Sequence, residues 1–149
     1  MKQAAVFLLS LCLAGCFFDY FPDPRSRSLT GRTWVLQAIT SADSVVFVSP
    51  SDTLYRIRFT DDGRVEGRDH CNRCEGTYAL SPAGNGSIRL FVHCTEMGCG
   101  GGYRLPVPDM AYGAVLVTTS TFHVQGRQLR MLATDLGGNR LVLHHTQGP

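Results

Sequence analysis

The sequence predicts a mostly β fold with α+β character only at the margin: a small antiparallel, barrel-like domain with one short helix. Three observations carry this. Short runs rich in Val, Thr, Phe and Tyr recur along the chain, and 16 glycines punctuate them with tight turns. Long charged or heptad-patterned runs that would favour a helical bundle do not occur. Two neighbouring runs, around Tyr78 and Leu90, also show matched apolar parity across a turn, which is the signature of a hairpin with one buried face. At 149 residues and 44% hydrophobic, the chain has material for one domain with a modest core.

The N-terminal segment reads as a leader. Met1-Lys2 is a charged start and Ala4 to Leu13 is an apolar run too short for a permanent bilayer span. It ends in Leu13-Ala14-Gly15-Cys16, which resembles the bacterial lipobox, in which the cysteine receives a diacylglycerol and, after cleavage, an N-acyl chain. An ordinary secretory leader with a chance cysteine is the competing reading. Residues 1–15 are therefore expected to be a signal peptide, 16–28 a lipidated N-terminus and tether, and 29–149 the folded domain. Phe17 stands where an Asp would mark inner-membrane retention, so the resemblance implies an outer-membrane anchor facing the periplasm. Pro22 and Pro24 make the later tether extended. The aromatics Phe17, Phe18, Tyr20 and Phe21 either lie among lipid headgroups or pack on the domain. Lys2 is the single lysine among 14 basic residues, leaving 13 arginines against 12 carboxylates. No run of like charge points to nucleic acid.

Thr33 to Ile39 is the expected first strand, with Trp34 as a core anchor. Val45 to Val48 is a short strand or a packed loop. In Leu54 to Thr60, strict alternation sets Tyr55, Ile57 and Phe59 on one face and Arg56 and Arg58 on the other. Asp61-Asp62-Gly63-Arg64 is a hairpin turn, and Val65 to Asp69 returns from it. Next, Cys74, Gly76, Tyr78 and Leu80 share one parity, and Ile88, Leu90, Val92 and Cys94 the other strand's. A turn near Gly84 and Asn85 then sets Tyr78 beside Leu90 and Cys74 beside Cys94 on the core side. Gly100-Gly101-Gly102 is a break. Pro108 to Val117 is a candidate helix starting at Pro108 or Asp109, with Met110, Ala114 and Val117 on one side. Thr121 to Gln125, Arg127 to Thr134 and Asn139 to His145 complete an antiparallel meander. About eight strands and one helix suit a closed or nearly closed barrel, which removes exposed edges.

An ordered series of short motifs resembles the META domain family, the HslJ-like envelope proteins. It comprises Gly31-Arg32-Thr33-Trp34, Asp62-Gly63-Arg64-Val65-Glu66-Gly67, Cys71-Asn72 with Gly76-Thr77-Tyr78, and Thr95-Glu96-Met97-Gly98-Cys99. The resemblance covers about residues 29 to 145. It implies a compact barrel-like domain of bacterial lipoproteins, linked in some members to heat-shock or antibiotic stress, without an established enzymatic activity. Cys71 and Cys99 fall on the family's recurrent cysteines. Cys74 and Cys94 depart from the pattern, as does Glu96, where the family usually has a basic residue.

Four cysteines in the domain allow three pairings. The hairpin register favours Cys74 with Cys94, which leaves Cys71 with Cys99 in a nested pair of disulfides suited to an oxidising periplasm. A thiolate zinc site is the sharper alternative: Cys71-x-x-Cys74 has the right spacing, and Cys94 and Cys99, flanked by His70 and His93, complete a tetrahedral set. Thioredoxin-like redox use of Cys71 and Cys74 lacks the required helix N-terminus. His123 and the His144-His145 pair are expected to be solvated, and Asp61-Asp62 to be a turn and not a cation site. No Gly-x-Ser-x-Gly, His-Glu-x-x-His or Walker motif is present, so no enzyme and no cofactor beyond the lipid on Cys16 is expected. The remaining function classes are an envelope-integrity or binding factor, a small-ligand barrel lined by Trp34, Tyr55, Phe59 and Tyr78, or a hydrolase inhibitor presenting the loop from Gly98 to Tyr103. The expected partners are the membrane through the anchor and either another envelope protein or a small hydrophobic ligand.

Overall fold

The computed structural model describes residues 29–42, 44–83, 85–97 and 112–149. The expected leader (1–15), Cys16 and tether (16–28), Cys99, the triple-glycine break and the helix start at 108–110 lie outside the described residues. Among the described residues run nine strands and one short helix: β1 (Thr33–Ser41), β2 (Ser44–Val48), β3 (Tyr55–Phe59), β4 (Arg64–Asp69), β5 (Asn72–Leu80), β6 (Ile88–Cys94), α1 (Tyr112–Val117), β7 (Thr121–Gln125), β8 (Gln128–Thr134) and β9 (Arg140–Gln147). Eight strands form one antiparallel path in the order β6-β5-β4-β3-β1-β9-β8-β7, curled into a half-barrel. Val45 to Val48 is thus a strand and not a packed loop.

β1 organises the sheet. One edge pairs with β9 along most of its length; the other is shared, β3 taking Thr33 to Val35 and β2 taking Ala38 to Ser41. A bulge at Gln37 interrupts the β1–β9 register between Leu36 and Ala38. It inverts the parity of the strand, so that Trp34 and Leu36 on one side of it and Ile39 on the other all reach the core. The bulge also bends the sheet toward closure. Trp34 is fully buried and its indole N–H donates to the Leu29 carbonyl at 2.8 Å, which satisfies the one polar atom the ring takes inside.

The hairpin register is as expected: Cys74 opposes Cys94 and Tyr78 opposes Leu90. The strict alternation of β3 likewise puts Tyr55, Ile57 and Phe59 inside and Arg56 and Arg58 outside. Among the described residues the two ends of the sheet meet at one place. Ser87 bridges Thr121, with the Ile88 N–H donating to Ser120 O at 3.0 Å and the Phe122 N–H to Gly86 O at 2.8 Å. Beyond that contact α1 packs between β6 and β8 and covers the gap. Its buried face is Tyr112, Val115 and Leu116, whereas Ala114 and Val117 are exposed, which corrects the face expected from sequence. The spacing i, i+3, i+4 defines the buried stripe, and Tyr112 leads it.

Candidate functional site

The residues that carry the ordered motifs act as clamps on the β4–β5–β6 end of the sheet. Asn72 opens β5, and its Oδ1 accepts from the Met97 N–H at 2.7 Å and from the Thr95 hydroxyl at 3.2 Å. Thr95 also accepts from the Arg73 N–H at 3.1 Å and donates its own N–H to Arg73 O at 2.9 Å. Asn72 and the Thr95–Met97 segment thereby hold the two strands together beyond the last ladder pair. Gly76 is required because a Cβ there would collide with the Phe91 carbonyl of β6, and one at Gly67 would stand 2.6 Å from Arg56 O. Both mark sites where curled strands approach too closely for a side chain. Tyr78 pins the β3–β4 turn from inside: its hydroxyl donates to Thr60 O at 2.8 Å, its N–H to Gly63 O at 2.9 Å, and its ring meets Phe59 edge-on at 5.2 Å. The turn itself uses Gly63 at φ 81° and closes with Arg64 Nε on the Asp62 carboxylate at 2.7 Å. Asp61 and Asp62 lie in the turn between β3 and β4, as expected, and hydrogen bonds from Thr60 and then Arg64 lower the Asp62 pKa.

Cys74 and Cys94 are joined in a disulfide between directly opposed residues, with Cα atoms 4.0 Å apart. Its sulfurs lie against Gly113 of α1, where a Cβ would meet the Cys94 sulfur. Cys71 is disulfide-bonded too, and its expected partner Cys99 lies outside the described residues. While bonded, these sulfurs have no thiolate to offer a metal.

A buried polar cluster, missed in the sequence, lies under this end. Asp69, 7% exposed, accepts from the Gly113 N–H at 3.3 Å through Oδ2. Burial raises its pKa, and the N–H groups of Gly113 and Tyr112 and the neighbouring His70 oppose that rise. Tyr112 is fully buried, and its hydroxyl lies 2.8 Å from Nε2 of His145, itself 2% exposed. Burial first, then His144, pushes the His145 pKa down to about 3, so the ring is neutral at physiological pH. Burial and then Asp69 raise the Tyr112 hydroxyl well above its ordinary value. With both groups neutral, one of the two donates to the other, according to which ring nitrogen of His145 holds the proton. The second ring nitrogen, Nδ1, makes no well-formed hydrogen bond, although the Leu129 and Leu143 carbonyls lie close enough to favour a proton on the ring. His145 thus corrects the expectation of a solvated histidine: in β9 it shares the inward parity of Leu141 and Leu143. His144 faces the other way, half-buried beside Thr40 at 3.1 Å, and His123 is exposed as expected.

Of the aromatics proposed to line a cavity, Trp34, Tyr55 and Phe59 are at most 1% exposed. Tyr55 sits edge-on between Phe47 and Tyr112, at centroid distances of 5.5 and 5.7 Å. Phe59 meets Tyr78 in the same way, and Trp34 is held by its bond to the Leu29 carbonyl.

The outer face of β3 to β6 is open to solvent and strongly basic. Cross-strand register sets Arg56 opposite Arg68 and Arg68 opposite Arg73. The next row runs Arg58, Glu66, Glu75 and His93, and the next Arg64, Thr77 and Phe91. All are exposed, Phe91 by 60%. Arg73 lies 3.9 Å from Glu75 and His93 lies 3.6 Å from it, while Arg56, Arg58 and Arg68 form no ion pair among the described residues.

The META domain family model matches residues 27–147. No curated protein matches the chain. Among solved structures, a DUF4847 family protein from Bacteroides vulgatus is similar at 11% identity and a TM-score of 0.53, over 82% of this chain and 96% of that one. That likeness is one of fold.

Proposed function

The chain belongs to the META domain family, and on that premise we propose that it is a non-catalytic, lipid-anchored domain of the bacterial cell envelope, held at the outer membrane through Cys16 and acting by contact as a binding or integrity factor. One observation supports this above the others: among the described residues, the polar groups of the ordered motifs and of the buried cluster are committed to structure. Asn72, Gly76 and Tyr78 clamp strands, Cys74 and Cys94 are bonded to each other, and Tyr112 and His145 satisfy one another inside the core. What the domain offers to other molecules is its outside. The lipobox-like Leu13-Ala14-Gly15-Cys16 supports the anchor.

Intact mass of the protein extracted from membranes tests the reading, with Cys16→Ser as the comparison. The expected result is a chain beginning at Cys16 with diacylglycerol and one further acyl chain, and for Cys16→Ser an unlipidated chain that keeps residues 1–15. A soluble wild-type protein with an unmodified Cys16 overturns it. Alkylation with and without reduction, beside a metal assay, separates the zinc–thiol alternative, which requires labelled thiols and stoichiometric zinc at Cys71, Cys74, Cys94 and Cys99. The small-ligand alternative has less support, because Tyr55, Phe59 and Tyr78 pack on other rings and Trp34 is fully buried.

A further inference from the structure

We propose that the outer face of β3 to β6 is a docking surface for an anionic phospholipid bilayer, with Arg56, Arg68 and Arg73 as its electrostatic centre and Phe91 as an apolar contact. The proposal deepens the lipid-anchor reading above and rests on it for its setting. Neighbouring strands lie about 4.8 Å apart, so three arginines in direct cross-strand register hold their charges close together. Like charges directly opposed destabilise a sheet. Here no carboxylate lies in their row, and Arg56 and Arg68 form no ion pair among the described residues. Six arginines (56, 58, 64, 68, 73 and 89) face outward on these four strands against Glu66 and Glu75, with Arg64 paired to Asp62 of the adjoining turn. A face built this way gains free energy when fixed negative charge covers it.

The observations favour a bilayer over an acidic protein as that cover. The charge is spread in two dimensions, across strands and along them, as a headgroup surface is. Phe91 stands exposed at 60% on the same face, and basic side chains around an exposed aromatic form the amphipathic pattern of interfacial binding. A tether running from Cys16 to residue 28 reaches at most about 45 Å when extended, so an anchored domain meets the surface repeatedly.

The test uses unlipidated protein starting at Phe17, since the domain from residue 29 onward contains every described strand and the buried core. Co-sedimentation is measured with phosphatidylcholine vesicles, with and without phosphatidylglycerol, at low and high salt. The expected result is binding that needs phosphatidylglycerol and weakens with salt. It should fall on the order of a hundredfold in Arg56→Gln/Arg68→Gln/Arg73→Gln. The control Arg127→Gln/Arg130→Gln/Arg140→Gln removes the same charge from exposed positions elsewhere and should bind nearly as wild type does. Phe91→Ala should weaken binding without changing its salt dependence. All substituted residues are exposed, and unchanged melting curves establish that the variants fold. Absent binding, equal loss in both triple variants, or a stable complex with an acidic protein in place of vesicle binding overturns the proposal. Because no lipid is attached in this assay, its failure leaves the mass test of Cys16 standing, and failure of the mass test leaves the vesicle result readable.

Discussion

Gly76 and His145 show how much this domain asks of single residues. At Gly76 the strand β5 comes so near the Phe91 carbonyl that even a methyl group has no room, and the obstacle is backbone, which cannot rotate aside. Gly76→Ala should therefore cost several times the usual strand preference for alanine, on the order of 3 kcal/mol, read as a fall in the urea midpoint with an unchanged slope. A neutral or stabilising effect would mean that the strands separate easily there. His145 makes a pH dependence. Unfolded, its ring takes a proton below about 6.5; folded, burial prevents this until about 3. The unfolded state therefore binds more protons as pH falls between those values, and stability drops. Between pH 7 and pH 5 the expected loss is about 2 kcal/mol. His144 is shifted down as well and adds to the loss, weakly because it is solvent-screened. Asp69 acts in the opposite sense, since its raised pKa makes protonation favour the fold and blunts the loss at the acid end. Denaturation of wild type and His145→Gln at the two pH values checks this: the variant should be less stable at pH 7 but nearly flat in between. Tyr112→Phe leaves Nε2 of His145 buried and unpaired, and should cost about 1–3 kcal/mol at pH 7.

At the scale of elements, what was legible in the sequence depended on whether a period stayed intact. The β5–β6 hairpin keeps strict alternation from Cys74 to Leu80 and from Ile88 to Cys94, so its register and the Cys74–Cys94 pairing followed from parity alone. In β1 the alternation breaks at Gln37, and the extension of the strand to Ser41 was hidden by that break. The buried stripe of α1 is Tyr112, Val115 and Leu116, nearly opposite the side that Ala114 and Val117 define. His145 was set aside for its place near the C-terminus, although the parity of Leu141 and Leu143 pointed it inward. Asp69 shares the inward parity of Val65 in β4, but its partner is a helix 44 residues away in the chain, which no local pattern reveals. The disulfide between β5 and β6 closes a separation of 20 residues, which in the loop-entropy account stabilises by about 3 kcal/mol. Clamping by Asn72 and Thr95 already holds that end, so Cys74→Ala/Cys94→Ala should stay folded and lose at most that amount. Thermal denaturation decides; a double variant that fails to fold would make the bridge, and not the clamp, the primary tie.

The molecule as a whole is a sheet that almost closes on itself, and the place where it closes is small. Among the described residues only the region of Gly86 to Ile88 meets the region of Ser120 to Phe122, and a helix of six residues packs beside that contact. Every other neighbouring pair on the path is joined by a ladder of at least three residue pairs, so this seam, with its single bridge, is the expected line of weakness. Gly86 is its pivot. It adopts φ 78°, a conformation costly for other residues, and a Cβ on it would stand 2.6 Å from the carbonyl of Phe122, whose own N–H donates back to Gly86 O at 2.8 Å. Gly86→Ala should thus open the seam while leaving the β8–β9 ladder in place. Amide hydrogen exchange reads this directly. The N–H groups of Ile88 and Phe122 should lose protection by roughly tenfold or more, a change of at least about 1.4 kcal/mol in local opening, whereas Met131 and Leu143 at the centre of the β8–β9 pair should change far less. A uniform rise in exchange across all four would mean that the half-barrel opens only by unfolding as one unit. Unchanged protection at Ile88 and Phe122 would mean that α1, and not the strand contact, holds the ends together.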